Sequence, residues 1–130
     1  MNLPYGKRAA ALALCGAVLT APAFAAEEER FLIDTTEDLA TLCAAAPVAP
    51  TYAAAIHMCQ GYIIGVAHFH QALTAELDEG VYCAPTGDDR PSRNEAVAMF
   101  VDWVGKNPSV GETEALDGLL QWAASAFPCN

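Results

Sequence analysis

Apolar residues recur every three or four positions along most of the chain, which is the spacing of an amphipathic α-helix. The first such segment presents Leu39, Leu42 and Cys43 on one face. It begins at Thr35 and Asp38, whose residue types and spacing resemble a capping box at a helix N-terminus. This pattern predicts a first short helix that ends before Pro47.

A second, longer helix is predicted from about Thr51 to Leu77. The segment contains no proline, and several of its alanines have high helix propensity. Its apolar positions advance by three or four residues throughout, through Ile56, Cys59, Ile63, Val66, His70, Leu73 and Leu77.

Two further helices follow a loop that spans Val81 to Arg90. Ser92 and Glu95 form a capping box, and the helix that they start ends between Gly105 and Pro108. A last helix is predicted from about Thr113 to Ala126. No alternation typical of strands is sustained in the sequence, so the predicted fold is all-α, with four helices in one small domain.

The first residues have the features of a secretory signal peptide. Lys7 and Arg8 precede an uncharged apolar run that ends at Leu19, and small residues surround Ala25. The apolar run is too short for the ~20 residues of a membrane-spanning helix. We therefore expect residues 1–25 to be a signal peptide and residues 26–130 to form a domain exported to the periplasm, without membrane contact.

Charge narrows the choice of partner. Without the signal peptide, the four bases Arg30, Arg90, Arg93 and Lys106 remain against all 16 acidic residues, which leaves a net charge of −12. Such a chain is poorly suited to nucleic acid or anionic lipid, and a basic protein partner would complement it.

The cysteine count predicts disulfides. Cys15 would leave with the signal peptide, and an even set of Cys43, Cys59, Cys83 and Cys129 would remain in an oxidising compartment. Three pairings are possible. Cys43–Cys59 and Cys83–Cys129 are favoured, because each joins segments that the predicted helices make neighbours.

The stretch "MCQGYIIGVAHFH" resembles a metal or thiol site, but its spacing argues against the metal and the other cysteines argue against a free thiol. Helical ligands must lie three or four residues apart to share a face, whereas His68 and His70 lie two apart, as do His57 and Cys59. Cys59 has three potential disulfide partners, so a free thiolate is not expected. The sequence thus predicts no catalytic residue, no metal and no cofactor.

Gly61 and Gly65 lie four residues apart within the long helix, where glycine costs up to ~1 kcal/mol relative to alanine. The spacing predicts close helix packing, either by a crossing helix of the same chain or by the partner chain of a homodimer.

Several motifs occur in an order that resembles a known family. After the cysteine of the first helix come "CQGYIIGVAHF", "YCAP", a capped helix ending in "KNP" and a terminal "WAASAFPC". The chain in this way resembles the Rap/Tai family of immunity proteins, which act against amidase effectors of type VI secretion.

The resemblance implies a disulfide-bonded periplasmic protein, often dimeric, that occludes the active-site cleft of a peptidoglycan amidase. It implies a protein inhibitor with no chemistry of its own. An acidic surface would help to steer it to a basic enzyme.

The acidic loop that follows the long helix is the candidate contact with this partner, since we expect it to be exposed and anchored by a disulfide. Its candidate residues are Asp78, Glu79, Tyr82, Asp88, Asp89 and Arg90. The alternative function is that of a small acid-stress chaperone of the HdeA type, because many carboxylates would titrate on acidification.

Overall fold

A computed structural model describes residues 31–77 and 80–129 of the protein. The predicted signal peptide, residues 1–25, lies outside this part of the chain. The described residues form four α-helices: α1 (Thr36–Cys43), α2 (Tyr52–Leu77), α3 (Arg93–Lys106) and α4 (Ala115–Ala126). They contain no strand, and the predicted all-α class is confirmed. None of the described helices has both the length and the apolar character needed to cross a membrane.

Both predicted capping boxes are present. The Thr35 backbone N–H donates to Asp38 Oδ2 at 2.9 Å, and the Asp38 N–H donates to Thr35 Oγ1 at 3.1 Å. At the start of α3, the same reciprocal pair joins Ser92 and Glu95. Two of the backbone donors left over at each helix start are satisfied in this way.

Helix α1 is the centre of the fold, because it packs against each of the other three helices. Its first residue, Thr36, is completely buried, and its hydroxyl lies within hydrogen-bond distance of both oxygens of Thr113 and of the Glu114 carbonyl. The backbone N–H of Thr36 also donates to the Thr113 carbonyl at 2.8 Å. The start of α1 is therefore joined to the start of α4.

The core lies between α1 and the inner faces of the other helices. Phe100 on α3 is fully buried and meets Trp122 of α4 edge to face, with ring centroids 5.6 Å apart. Phe127 packs on Trp122 in the same manner at 5.9 Å. The other large buried side chains of this cluster are Leu39, Leu42, Ile63, Tyr82, Val97, Val104 and Leu119.

Two disulfides hold the helices together, with the pairing that the sequence favoured. Cys43–Cys59 joins the end of α1 to α2, with 5.2 Å between the Cα atoms, and Cys83–Cys129 joins the loop after α2 to the C-terminus, with 4.9 Å. In the chain-entropy model, a disulfide that closes a loop of this order contributes ~3–4 kcal/mol. The two bonds thus compensate for the small core of a domain of this size.

Candidate partner-binding surface

The loop between α2 and α3 is fixed at its base by the end of α2. Gly80 lies so close to α2 that a Cβ atom there would be 2.8 Å from Thr74 Cγ2 and 3.2 Å from the His70 ring. The next residue, Val81, donates its backbone N–H to His70 Nε2 at 3.0 Å. Tyr82 stacks on the same imidazole, with ring centroids 3.9 Å apart. His70 therefore acts as a structural anchor for the loop.

A second anchor ties the loop to the C-terminus. Cys83 donates its backbone N–H to the Phe127 carbonyl at 2.9 Å, and its side chain is bonded to Cys129. The loop is thus held on one side by α2 and on the other by the residues after α4. We call residues 80–92 the pinned loop.

The tip of the pinned loop carries exposed charge. Gly87 has a φ of +63°, a conformation that glycine adopts without strain. It starts a single 3-10 turn, Gly87–Asp89, which the Arg90 N–H closes by donating to the Gly87 carbonyl at 3.3 Å. Asp88, Asp89 and Arg90 are all exposed. Two adjacent carboxylates and one guanidinium are therefore presented to solvent on a loop with a fixed base.

The six predicted partner contacts fall into three groups. Asp88, Asp89 and Arg90 lie together at the exposed tip. Tyr82 does not join them, because its side chain is buried at the base of the loop and only 7% exposed. Burial raises the pKa of its phenol, and its ring stacks on His70. The prediction that Tyr82 contacts the partner is therefore wrong, and Tyr82 is a core residue. Asp78 and Glu79 lie outside the described residues.

The remaining candidates for chemistry are separated in space. Cys59 is fully buried in its disulfide and offers no free thiol. His57 and His68 are exposed on α2, whereas His70 accepts the hydrogen bond from Val81. Within residues 31–77 and 80–129, no three histidine, cysteine or acidic side chains are grouped as a metal ion would require.

The glycine pair of α2 lies on a bare surface. Both Gly61 and Gly65 are exposed, and no atom outside their own helix backbone lies within 4 Å of the position that a Cβ would occupy. The prediction of a crossing helix from the same chain is therefore wrong for the described residues. Met58 and Phe69, spaced three and four residues from the pair, are 40% and 65% exposed. We call Met58, Gly61, Gly65 and Phe69 the glycine face.

Comparison with models of known protein families shows to which family the chain belongs. The family model described as Rap1a immunity proteins matches residues 35–129, which is most of the chain. The chain belongs to the Rap1a immunity protein family. No curated protein matches it, and no solved structure matches it.

The Rap1a match coincides with the folded unit. It begins at Thr35, the residue that caps α1, and ends at Cys129, the last half-cystine. All four helices, both disulfides and the pinned loop lie inside it. The resemblance expected from the ordered motifs is thus confirmed at the level of the family, and the chain has the role of an immunity protein.

Proposed function

We propose that this Rap1a protein is exported to the periplasm, where it binds a peptidoglycan amidase effector of type VI secretion and occludes its active-site cleft. The observation that supports this most strongly is the family match over residues 35–129. Two disulfides are consistent with an oxidising compartment. Protection of the cell then results from binding, with no bond made or broken by the immunity protein.

The tip of the pinned loop is the proposed contact with the amidase. Asp88 and Asp89 project from a turn whose base is held by a disulfide, two backbone hydrogen bonds and an aromatic stack. A fixed loop loses little conformational entropy on binding, which favours affinity. Its carboxylates would attract a basic rim around an enzyme cleft and accelerate association.

Charge reversal at the tip tests this contact. The double variant Asp88→Lys/Asp89→Lys should weaken binding to the amidase by ~2 kcal/mol or more if the two carboxylates are central to the interface. Isothermal titration calorimetry with the purified amidase measures the change. Association should also slow most at low ionic strength, because steering by exposed charges is screened by salt.

Glu112→Lys is the matched control for the single variant Asp89→Lys, because each reverses one charge. Glu112 is also exposed, but it lies before α4, whereas the pinned loop is tied to the residue after α4. The 12 residues of α4 separate these two ends by roughly 18 Å. Equal losses for the two variants would show a general charge effect, and undiminished affinity of the tip variant would exclude the loop as the contact.

We also propose that the glycine face of α2 receives a second copy of the chain. The exposed Phe69 and Met58 supply apolar area, while the bare backbone at Gly61 and Gly65 allows another helix to approach closely. In the described part of the chain, nothing else covers this face. The homodimer would leave the amidase-binding tip, which lies on a different segment, free for the effector.

A further inference from the structure

A cavity opens beneath the pinned loop, between the loop and helices α2, α3 and α4. Its volume is about 460 Å³. This lies within the ~300–1,000 Å³ range of small-molecule pockets, which are mostly apolar with a few placed polar groups. Its walls are mainly apolar, and the large side chains among them include Ile63, Ile64, Leu119, Leu120, Trp122 and Phe127.

The charged residues that line the cavity are all basic. They are Arg90 and Arg93, and none of the acidic residues of the described segments lines the cavity. The remaining base of these segments, Lys106, instead pairs with Asp102 on α3 at 2.6 Å. In a chain with a formal net charge of −10, this concentration of cations at one apolar cavity is complementary to an anion.

The arginines are the groups available to bind that anion. The Ser92 hydroxyl also lines the cavity, but it accepts the Glu95 N–H, and the Glu95 carboxylate accepts the Ser92 N–H. The Ser92 N–H and the Glu95 carboxylate are therefore occupied by the capping box, and the Ser92 hydroxyl keeps only its O–H as a donor. Guanidinium groups, by contrast, present a planar set of donors that matches a carboxylate with two parallel hydrogen bonds.

The cavity has a fixed wall rather than a collapsible one. The cavity is lined by Tyr82, Ala84 and Pro85 of the pinned loop. Cys83, which follows Tyr82, fixes this part of the loop through its disulfide with Cys129. Phe127 also lines the cavity, and its carbonyl accepts the hydrogen bond from the Cys83 N–H. A ligand would therefore enter a site that is already formed, which lowers the entropic cost of binding.

We propose that this cavity binds a small amphipathic carboxylate, such as a single-chain fatty acid. The acyl chain lies among the apolar walls, and the carboxylate is held at the rim by Arg90 and Arg93. Asp88 and Asp89 of the exposed tip do not line this site, which shares only Arg90 with the tip. Its occupancy does not depend on the proposed inhibition of an amidase.

The test uses decanoate, below its micelle-forming concentration, and the full chain without any effector. Trp122 lines the cavity and reports binding by fluorescence, with Trp103→Phe introduced to remove the other tryptophan. Decanoate should give a saturable change. The double variant Arg90→Ala/Arg93→Ala should weaken binding at least about tenfold, since hydrogen bonds to charged groups are the stronger class. Lys106→Ala, the control, should leave binding unchanged.

A cavity-filling variant gives a second measurement. Ala96 lines the cavity from α3 and is half-buried, so Ala96→Phe should abolish the decanoate signal while circular dichroism confirms the fold. The proposal is overturned if decyltrimethylammonium binds as well as decanoate, or if the arginine variant retains full affinity.

Discussion

At the scale of single residues, Gly118 of α4 has the closest neighbour among the glycines of the described residues, and this neighbour is the side chain of Thr36 of α1. A Cβ atom at Gly118 would overlap the Thr36 side chain. Thr36 is completely buried and its hydroxyl is held by Thr113 and Glu114, so it has little freedom to move away. Gly118 is thus required for the junction between the two helices.

Gly118→Ala should destabilise the protein by ~2–3 kcal/mol, in the upper range for overpacked cores, because the added methyl has to displace Thr36 or the helix backbone. Gly105→Ala is the control, since Gly105 lies in α3 with nothing within 4 Å of its Cβ position. That change should be neutral or stabilise by up to ~1 kcal/mol through helix propensity. Urea unfolding of both variants measures the difference. Equal stabilities would contradict the tight junction.

Tyr82 shows that the residue type and its place in the sequence do not always predict whether a side chain is buried. It lies in the loop that also carries the charged residues 88–90, so a surface position was a reasonable prediction from the sequence. The structure buries it against His70. His70 lies 12 residues earlier, and no local pattern links the two rings. Gly118 could have been noticed, because a glycine inside the apolar pattern of α4 costs helix stability and invites a packing explanation.

At the scale of elements, the helices were predictable because their start positions depend on local chemistry. Each capping box needs only residues three positions apart, and both occur where the sequence places them. The breaks between helices also depend on nearby residues, namely the prolines after α1 and the loop before α3. The cysteine pairing was also predictable, since the order of the helices brings each pair together.

The capping boxes make the helix starts sensitive to acid. Hydrogen bonds from the Thr35 hydroxyl and backbone lower the pKa of Asp38, and the corresponding bonds from Ser92 lower the pKa of Glu95. A carboxylate whose pKa is lower in the folded state stabilises that state above its unfolded pKa. This stabilisation is lost as the pH falls through the folded value.

The variant Asp38→Asn/Glu95→Gln should therefore be less stable than the parent at pH 7. The gap should be smaller at pH 3, because the stabilisation by the ionised carboxylates declines below their unfolded pKa values. Thermal melts at the two pH values measure the gap. Asp117→Asn serves as a control, because α4 begins without a side-chain cap. A gap that stays constant between the two pH values would contradict the role of the ionised caps.

Periodicity alone did not predict what covers each helix. The apolar pattern of α2 continues to Leu77, but Leu73 and Leu77 are 41% and 65% exposed, because α2 is longer than the helices packed against it. The glycine pair has the same limitation. Small residues at this spacing indicate that something approaches closely, yet the sequence does not say whether it comes from the same chain.

At the scale of the whole molecule, charge and apolar surface are separated. The acidic tip of the pinned loop and the cavity share only Arg90, and the glycine face of α2 is formed by other residues. The net charge was evident from composition. The cavity was not, because its lining comes from three helices and a loop whose relative positions are set by tertiary packing.

The proposed homodimer gives a further prediction. Phe69→Glu should convert the dimer to a monomer, since a charge buried in an apolar interface without a partner is strongly unfavourable. Light scattering coupled to size-exclusion chromatography measures the mass. Leu116→Glu is the control, because Leu116 is also exposed, at 43%, but lies on α4. A parent protein that is monomeric at high concentration, or a dimer unaffected by Phe69→Glu, would contradict the proposal.

Enzyme inhibition measures the proposed occlusion of an amidase cleft by this Rap1a protein. Purified peptidoglycan is incubated with the amidase effector and increasing amounts of the immunity protein, and the amino groups released by hydrolysis are measured. Hydrolysis should fall linearly and stop when the inhibitor equals the enzyme in molar amount. Full hydrolysis in the presence of a large molar excess would contradict the proposed occlusion.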